Sequence, residues 1–385
     1  MTQSLLLAAC LTLVGTAILY NLAVLIAALR FHQSAIRNPK SAITFAPPVS
    51  VFKPVCGAAD HLYSSLACFC LQDYPEYEVL FCLPQGDDPA GAVVRKLQQD
   101  FPKLPIRLLV ADRFYGTNRK VDSLDKMHRE MRHDYMVISD DDITVGPDYL
   151  GSVMAEFQDP QVGLVTCPYR GKPGGTLASV FEAVGITGEF FCGVLMARLL
   201  EGIRFAMGAT MATHKKMLEA IGGFPAIADY HGDDYELGRR VAEMGHRCVL
   251  SHYVVDTLLP ADTWRSMLLH QFRWVRVQAS ARPKGHFGLI LTYGSIFAVA
   301  ALAVAPANYL PLVWSMAAVW LAFRLAAAWT VGVGLLSDST LRRNWFLIPF
   351  RELLTAAIWA ASLFFKKITW KGEKYISAGG KLIRI

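Results

Sequence analysis

Charge is what this chain lacks first. From Met1 to Leu29 there is no charged side chain, and from Phe287 to Leu336, fifty residues, the only one is Arg324. A membrane-crossing helix needs roughly 20 predominantly apolar residues. The first block therefore predicts one span, about 5–29, and the second predicts two, divided near Pro306-Ala307-Asn308. With 53% hydrophobic residues and a mean hydropathy of +0.31, an ordinary soluble protein is excluded. The chain also lacks a basic cluster or an interleaved aromatic–basic motif, so nucleic acid is not an expected partner. Its net charge of +6 lies largely beside the apolar blocks, where it suits anionic headgroups. Its eight cysteines contain no CxxC pair and no His/Cys grouping at zinc spacing. They are expected to be reduced thiols. Internal repeats and low-complexity segments are absent as well.

The first apolar block is longer than a signal-peptide core and has no basic region ahead of it, so a retained span is expected rather than a cleaved leader. Lys and Arg near the membrane set orientation. Arg30, Arg37 and Lys40 follow the first block and nothing basic precedes it. The N-terminus is thus expected outside and the central region in the cytoplasm, with Arg342 and Arg343 again inside. The apolar segment 345–365 contains Arg351 and Glu352. It is flanked by Arg342 and Arg343 on one side and by Lys366, Lys367 and Lys371 on the other. Both ends favour the cytoplasm, so a re-entrant or interfacial segment is expected there. Residues 186–205 mix Phe, Leu and Met with Glu189, Arg198, Glu201 and Arg204, which fits an interfacial helix or a buried amphipathic one. The expected organisation is 1–47 as span and linker, 48–280 as one α/β domain, and 281–385 as a C-terminal membrane region.

In the central region short apolar runs alternate with helical patterns. Runs 49–54, 77–83, 106–111, 135–140 and 162–167 predict buried strands, and 59–71, 89–101, 121–132 and 147–156 predict helices. That alternation predicts a mostly parallel, Rossmann-like sheet covered on both faces. Ligands in such sheets bind beyond the carboxyl ends of the strands. The polar residues after the strands are Asp87 and Asp88 in "PQGDDPA", the loop "DRFYGTNRKVDSL", and Asp140-Asp141-Asp142. A single aspartate there is often a helix cap. Three in a row after a buried strand are costly unless a cation neutralises them. Mg²⁺ and Mn²⁺ take oxygen ligands, and Mg²⁺ is often held by one or two carboxylates plus substrate phosphates. On an extended backbone Asp140 and Asp142 would share a side and Asp141 would face away.

Further along stand "MGATMATHKKMLEAIGGFPAIADYHGDDYELGRRVAEMGHR" and "HQFRW". With "VFKPVCGAADHLYSSL", "DYPEYEVLFC", "DDPA", "SDDD" and "VGLVTCPY", these resemble the ceramide glucosyltransferase family. That family belongs to the GT-A, family 2-like lipid and processive glycosyltransferases. Within it, the sequence resembles the bacterial hopanoid-biosynthesis branch. The resemblance covers about residues 1–300. It implies a GT-A nucleotide-diphospho-sugar transferase domain in the cytoplasm, flanked by transmembrane helices. By the resemblance, Asp88, with Asp87 beside it, sits at the nucleotide end. Asp140 and Asp142 match the metal and diphosphate pair. Asp234 matches the general base, although Asp233 and Asp234 also suit a helix N-cap. Arg273 and Trp274 match the end of a (Q/R)-x-x-R-W motif, in which His270 replaces the expected Gln or Arg. Lys120 matches a nucleotide-sugar-binding lysine loosely.

The implied reaction is an inverting displacement on a UDP-sugar, with Mg²⁺ or Mn²⁺ as cofactor and a membrane lipid as acceptor. The favoured pair is UDP-N-acetylglucosamine with bacteriohopanetetrol, in the bacterial inner membrane. Ceramide with UDP-glucose is the alternative. A processive polysaccharide synthase is a second alternative, for which the C-terminal helices are few.

Overall fold

The computed structural model describes residues 2–37, 45–370 and 373–385; Lys40 and Lys371, which entered the topology argument, lie outside them. The chain divides into two compact units. The described residues of one are 45–169, 201–258 and 380–385. Those of the other are 2–37, 170–200, 259–370 and 373–379.

The strands are, in chain order, β1 (Val49–Pro54), β2 (Tyr77–Leu83), β3 (Ile106–Val110), β4 (Tyr135–Ile138), β5 (Ile143–Thr144), β6 (Val162–Thr166), β7 (Tyr169–Lys172), β8 (Met211–His214), β9 (Arg247–Leu250) and β10 (Val255–Leu258). Seven of them form a sheet in the order β3-β2-β1-β4-β8-β6-β9. Pairs β1/β2, β1/β4, β2/β3 and β6/β9 are parallel, while β8 runs antiparallel between β4 and β6. β1, β2 and β6 are apolar almost throughout and buried along their length. Both faces of the sheet are therefore covered, as parallel sheets require. On the helix Arg119–Glu130, Val121, Leu124 and Met127 recur at helical spacing and join Phe52, Leu80, Met136 and Ile138 in one core. Leu237 and Val241 of the helix Asp233–Glu243 join the same core.

The second unit is helical. Helix Thr2–Arg37 places Leu7, Cys10, Val14 and Ala17 on one stripe, buried against Ala298, Ala301, Val313 and Trp320. Small residues on such stripes let apolar helices approach closely. Among the described residues, four helices are long and apolar enough to cross a membrane: Gln3–Ile36, Leu177–Glu201, Ala307–Leu335 and Ser339–Phe364. The first of the two spans expected in the second apolar block is not straight. Pro283–Thr292 and Gly294–Val304 meet at a 50° bend. Arg351 and Glu352, which argued against a crossing by 345–365, are buried and paired inside the protein, so that objection falls.

Candidate active site

The loop after β1 ties together the carboxylates that follow β2 and β4. The Gly57 amide donates to Asp88 Oδ1 at 2.9 Å, and the Cys56 amide donates to Asp141 Oδ2 at 3.3 Å. Gly57 has φ +76°, a left-handed conformation that glycine adopts without strain. Asp88 Oδ1 also accepts from the Ala90 amide at 2.9 Å, at the start of helix Ala90–Asp100, while Asp87 stands exposed.

The aspartate triplet corrects one expectation. β4 ends at Ile138, and the chain turns over 140–143, with the Ile143 amide donating to the Asp140 carbonyl at 3.4 Å. The backbone is not extended there, so strict alternation does not apply and the three carboxylates fan out to separate partners. Asp140 Oδ1 lies 2.7 Å from Lys120 Nζ, and the same ammonium is 3.2 Å from Asp233 Oδ2. Asp141 faces Cys56. Asp142 Oδ2 accepts from the Thr257 hydroxyl at 3.1 Å.

Lys120 stands in the first turn of its helix, just after the N-cap Asn118, whose side chain accepts from the Lys120 amide. A cation is disfavoured at that end of the helix dipole. Burial opposes its charge further, but Asp140 and Asp233 outweigh both and hold the ammonium well above the ordinary lysine range. Asp233 and Asp234 do not occupy the N-cap of their helix, which is Gly232. Asp233 Oδ1 instead accepts from Asn118 Nδ2 at 3.3 Å. Asp234 Oδ2 accepts from the Gly208 amide at 2.8 Å and its Oδ1 from the Tyr235 amide at 2.7 Å. Burial and the neighbouring Asp233 push the Asp234 carboxyl up to about 6.

Gly208 is forced by this crowding. A Cβ there would stand 2.7 Å from Asp140 Oδ2 and 3.6 Å from Asp234 Oδ2. Gly208→Ala is expected to displace the Asp140 carboxylate from Lys120 and lower the turnover rate about 10²-fold, the scale of an ångström-level misplacement. A thermal melt should stay near that of the parent, and steady-state sugar transfer with a parallel melt checks both.

The carboxylates suit a divalent cation. Asp142 Oδ1 is buried without a hydrogen-bond partner. Burial first, then repulsion from Asp140 and Asp141, raises this carboxyl to about 7. A group so poorly satisfied gains from a cation. Among the described residues no three His, Cys, Asp or Glu side chains converge on one point. Two carboxylates with phosphate and water completing the shell remain compatible with that.

Sequence reasoning left Lys53 unassigned, because a lone lysine at a strand end reads as solvated. It is fully buried, stacks 3.8 Å over the Phe69 ring, and donates to the Asp140 carbonyl and to the Ser139 hydroxyl. Burial lowers its ammonium to about 8. Lys53 thereby fixes the turn that aims Asp140.

His270, Arg273 and Trp274 belong to the helical unit, on the helix Trp264–Ala281. Their i, i+3, i+4 spacing puts them on one face, and the His270 and Trp274 rings meet edge to face at 4.9 Å.

The class of protein is now defined: a glycosyltransferase with a GT-A fold and apolar, membrane-length helices. A mannosyltransferase from Pyrobaculum calidifontis, solved with GDP-Man and Mn²⁺, shares the fold at a TM-score of 0.50 and 23% identity, covering 91% of this chain and 99% of its own. More narrowly, the chain belongs to glycosyl transferase family 21, whose model matches residues 15–383. Ceramide glucosyltransferase 3 of Caenorhabditis elegans is 23% identical over 380 residues, covering 93% of this chain and 79% of that protein. Ceramide glucosyltransferase 1 of the same organism is 25% identical over 261 residues, covering 66% of this chain and 53% of that protein.

Proposed function

We propose that this chain transfers a sugar from a UDP-sugar to a hydroxyl of a membrane lipid, with inversion at the anomeric carbon. One observation carries the proposal. Asp140, Asp233 and Asp234 crowd around Lys120 beyond the carboxyl end of β4, where sheets of this kind bind nucleotides.

Asp88 and the Gly57 turn lie toward the nucleotide. Asp140 and Asp142 would hold Mg²⁺ or Mn²⁺. That ion, when bound, offsets the charge that develops on the departing diphosphate. Lys120 contributes a second positive charge beside Asp140. Asp234 takes the proton from the attacking hydroxyl, which a carboxyl poised near 6 can do at neutral pH. Arg273, Trp274 and His270 serve the diphosphate and acceptor.

Ceramide is the acceptor in the relatives' names and glucose the sugar. UDP-N-acetylglucosamine with bacteriohopanetetrol is the pair favoured by the sequence resemblance, and it would place the protein in a bacterial inner membrane. The first unit described above is proposed to face the cytoplasm, since Arg30 ends the first apolar block.

The test is a panel on purified protein. UDP-glucose, UDP-galactose, UDP-N-acetylglucosamine and GDP-mannose are each incubated with ceramide and bacteriohopanetetrol, and products are identified by mass spectrometry. A single sugar on one lipid is expected, abolished by EDTA and restored by Mg²⁺ or Mn²⁺. Transfer undiminished by EDTA would remove the cation from the scheme, and polymeric product would favour a processive synthase.

A further inference from the structure

The helical unit carries a groove of about 350 Å³ that the scheme above does not use. Leu325, Ala326, Trp329, Thr330, Leu341 and Trp345 are among the residues that line it. That size falls in the range of small-ligand clefts, roughly 300–1,000 Å³. Its place follows from connectivity. Residues 336–338 join the membrane-length helices Ala307–Leu335 and Ser339–Phe364, so the groove lies between the last turns of one and the first turns of the next.

The walls are held in an unusual shape. The first of these helices ends in a π-helical segment, Trp329–Leu335, a form found often at functional sites. Gly332 lies in that segment, and a Cβ there would stand 2.2 Å from Leu341 Cδ2, so glycine lets the next helix pack close. The link that follows is strained. Ser337 has φ +52° and is the one non-glycine residue at positive φ among those described. Such strain persists where the surroundings over-determine it, and it clusters at ligand sites. Arg170 Nη1 pins the link by donating to the Leu336 carbonyl at 2.8 Å and to the Ser337 carbonyl at 3.1 Å. Buried Asp338 caps the helix Ser339–Asn344 by accepting from the Thr340 and Leu341 amides, and it also accepts from the Thr187 hydroxyl at 2.6 Å.

This short helix presents cations beside the groove. Between Leu341 and Trp345, which both line it, come Arg342 and Arg343. Both are exposed, and neither guanidinium is paired with an acid among the described residues. Trp329 and Trp345 are exposed by 44% and 47%, as indoles at a headgroup boundary are. Basic pockets between membrane helices suit anionic lipid headgroups, and the guanidinium fork matches a phosphate. An apolar groove next to two unpaired arginines complements a molecule with an acyl chain and a negative head.

We propose that this groove binds one acyl chain of an anionic phospholipid, whose phosphate is held by Arg342 and Arg343. The lipid is a bound companion of the fold and not the sugar acceptor. The site selects a negative charge, whereas an acceptor has to offer a hydroxyl. It lies wholly within the helical unit and does not depend on which lipid receives the sugar.

Native mass spectrometry of the full-length, delipidated protein in detergent tests it. Palmitoyl-oleoyl phosphatidylglycerol and the matching phosphatidylcholine are titrated separately. The parent is expected to bind one phosphatidylglycerol about 10- to 30-fold more tightly than phosphatidylcholine, about fivefold for each arginine. Arg342→Gln/Arg343→Gln should bring the two lipids within twofold of each other. Phosphatidylglycerol should raise the thermal melt of the parent and not that of this double variant. Ala326→Trp, at an exposed position of the wall, fills the groove and should weaken both lipids about tenfold. Dihexanoyl phosphatidylglycerol, whose chains are too short to fill the groove, should bind the parent about tenfold more weakly than the long-chain lipid. That comparison decides the role of the groove even if Ala326→Trp does not fold. Equal affinity for the two headgroups, a preference that survives loss of both arginines, or equal binding of long and short chains each overturns the proposal.

Discussion

Asp234→Asn is expected to lower kcat by ~10²- to 10⁴-fold, the usual contribution of a general base. The substitution keeps the side chain's shape, but the single carbonyl oxygen of Asn can accept from only one of the two amides that the carboxylate now serves, Gly208 at 2.8 Å and Tyr235 at 2.7 Å. What it removes is the proton acceptor. The sign of the pH dependence follows from the raised carboxyl. Burial, then Asp233, holds Asp234 near 6, partly countered by Lys120. Below that pH the group is protonated and cannot act as a base, so kcat/KM in the parent should fall as pH drops through about 6 and level off above it. In Asp234→Asn that step should vanish from the residual rate. Stability should move the other way. A carboxyl raised on folding costs the folded state free energy once pH exceeds its unfolded value. Removing it should therefore offset the one amide bond that Asn cannot keep, so that the variant melts near the parent at pH 7. Loss of activity with an intact melt and an intact UDP affinity would identify the base. Full transfer by Asp234→Asn would assign the proton to another group.

The parts of this molecule that were legible beforehand are those set by long, uniform patterns. The strand runs 49–54 and 77–83 matched β1 and β2 to the residue, because both faces of those strands are buried and most of their residues are apolar, Ser50, Lys53 and Glu78 excepted. β8 and β9 escaped notice. Each is four residues long, "MATH" and "RCVL", and what makes it a strand is pairing with β4 and β6 rather than anything local. Asp140 and Asp142 stood out as carboxylates, but their directions did not follow from strand alternation, since β4 stops at Ile138 and the chain turns. The turn depends on Lys53, 87 residues earlier, which a linear pattern cannot connect to it. Glu182, a buried carboxylate of the helical unit, was hidden for the same reason: its partner His270 is 88 residues away.

Arg324→Leu is expected to be the most destabilising single change in the helical unit. Arg324 is 4% exposed and Glu352 2%. Arg324 Nε donates to Glu352 Oε2 at 2.7 Å and Nη1 to the Gly188 carbonyl at 2.9 Å, while Glu352 Oε1 accepts from the Ser295 amide at 3.0 Å. Four separate stretches of chain therefore meet at one ion pair. Charged groups at membrane depth persist where they face the protein interior and find partners. Removing one member leaves the other charge buried, which typically costs about 3–5 kcal/mol, whereas replacing both with apolar groups of similar volume is often neutral. The two single variants are not expected to be equal. Glu352→Gln leaves Arg324 within reach of Glu189, whose charge still acts on it. Arg324→Leu leaves Glu352 with only the Ser295 amide among the bonds described. Thermal unfolding in detergent should thus rank Arg324→Leu below Glu352→Gln, and the double variant Arg324→Leu/Glu352→Leu above both. If the double variant were as unstable as the sum of the two singles, the pair would hold the helices by packing and hydrogen bonding rather than by mutual neutralisation, and the expectation for a paired buried charge would fail here.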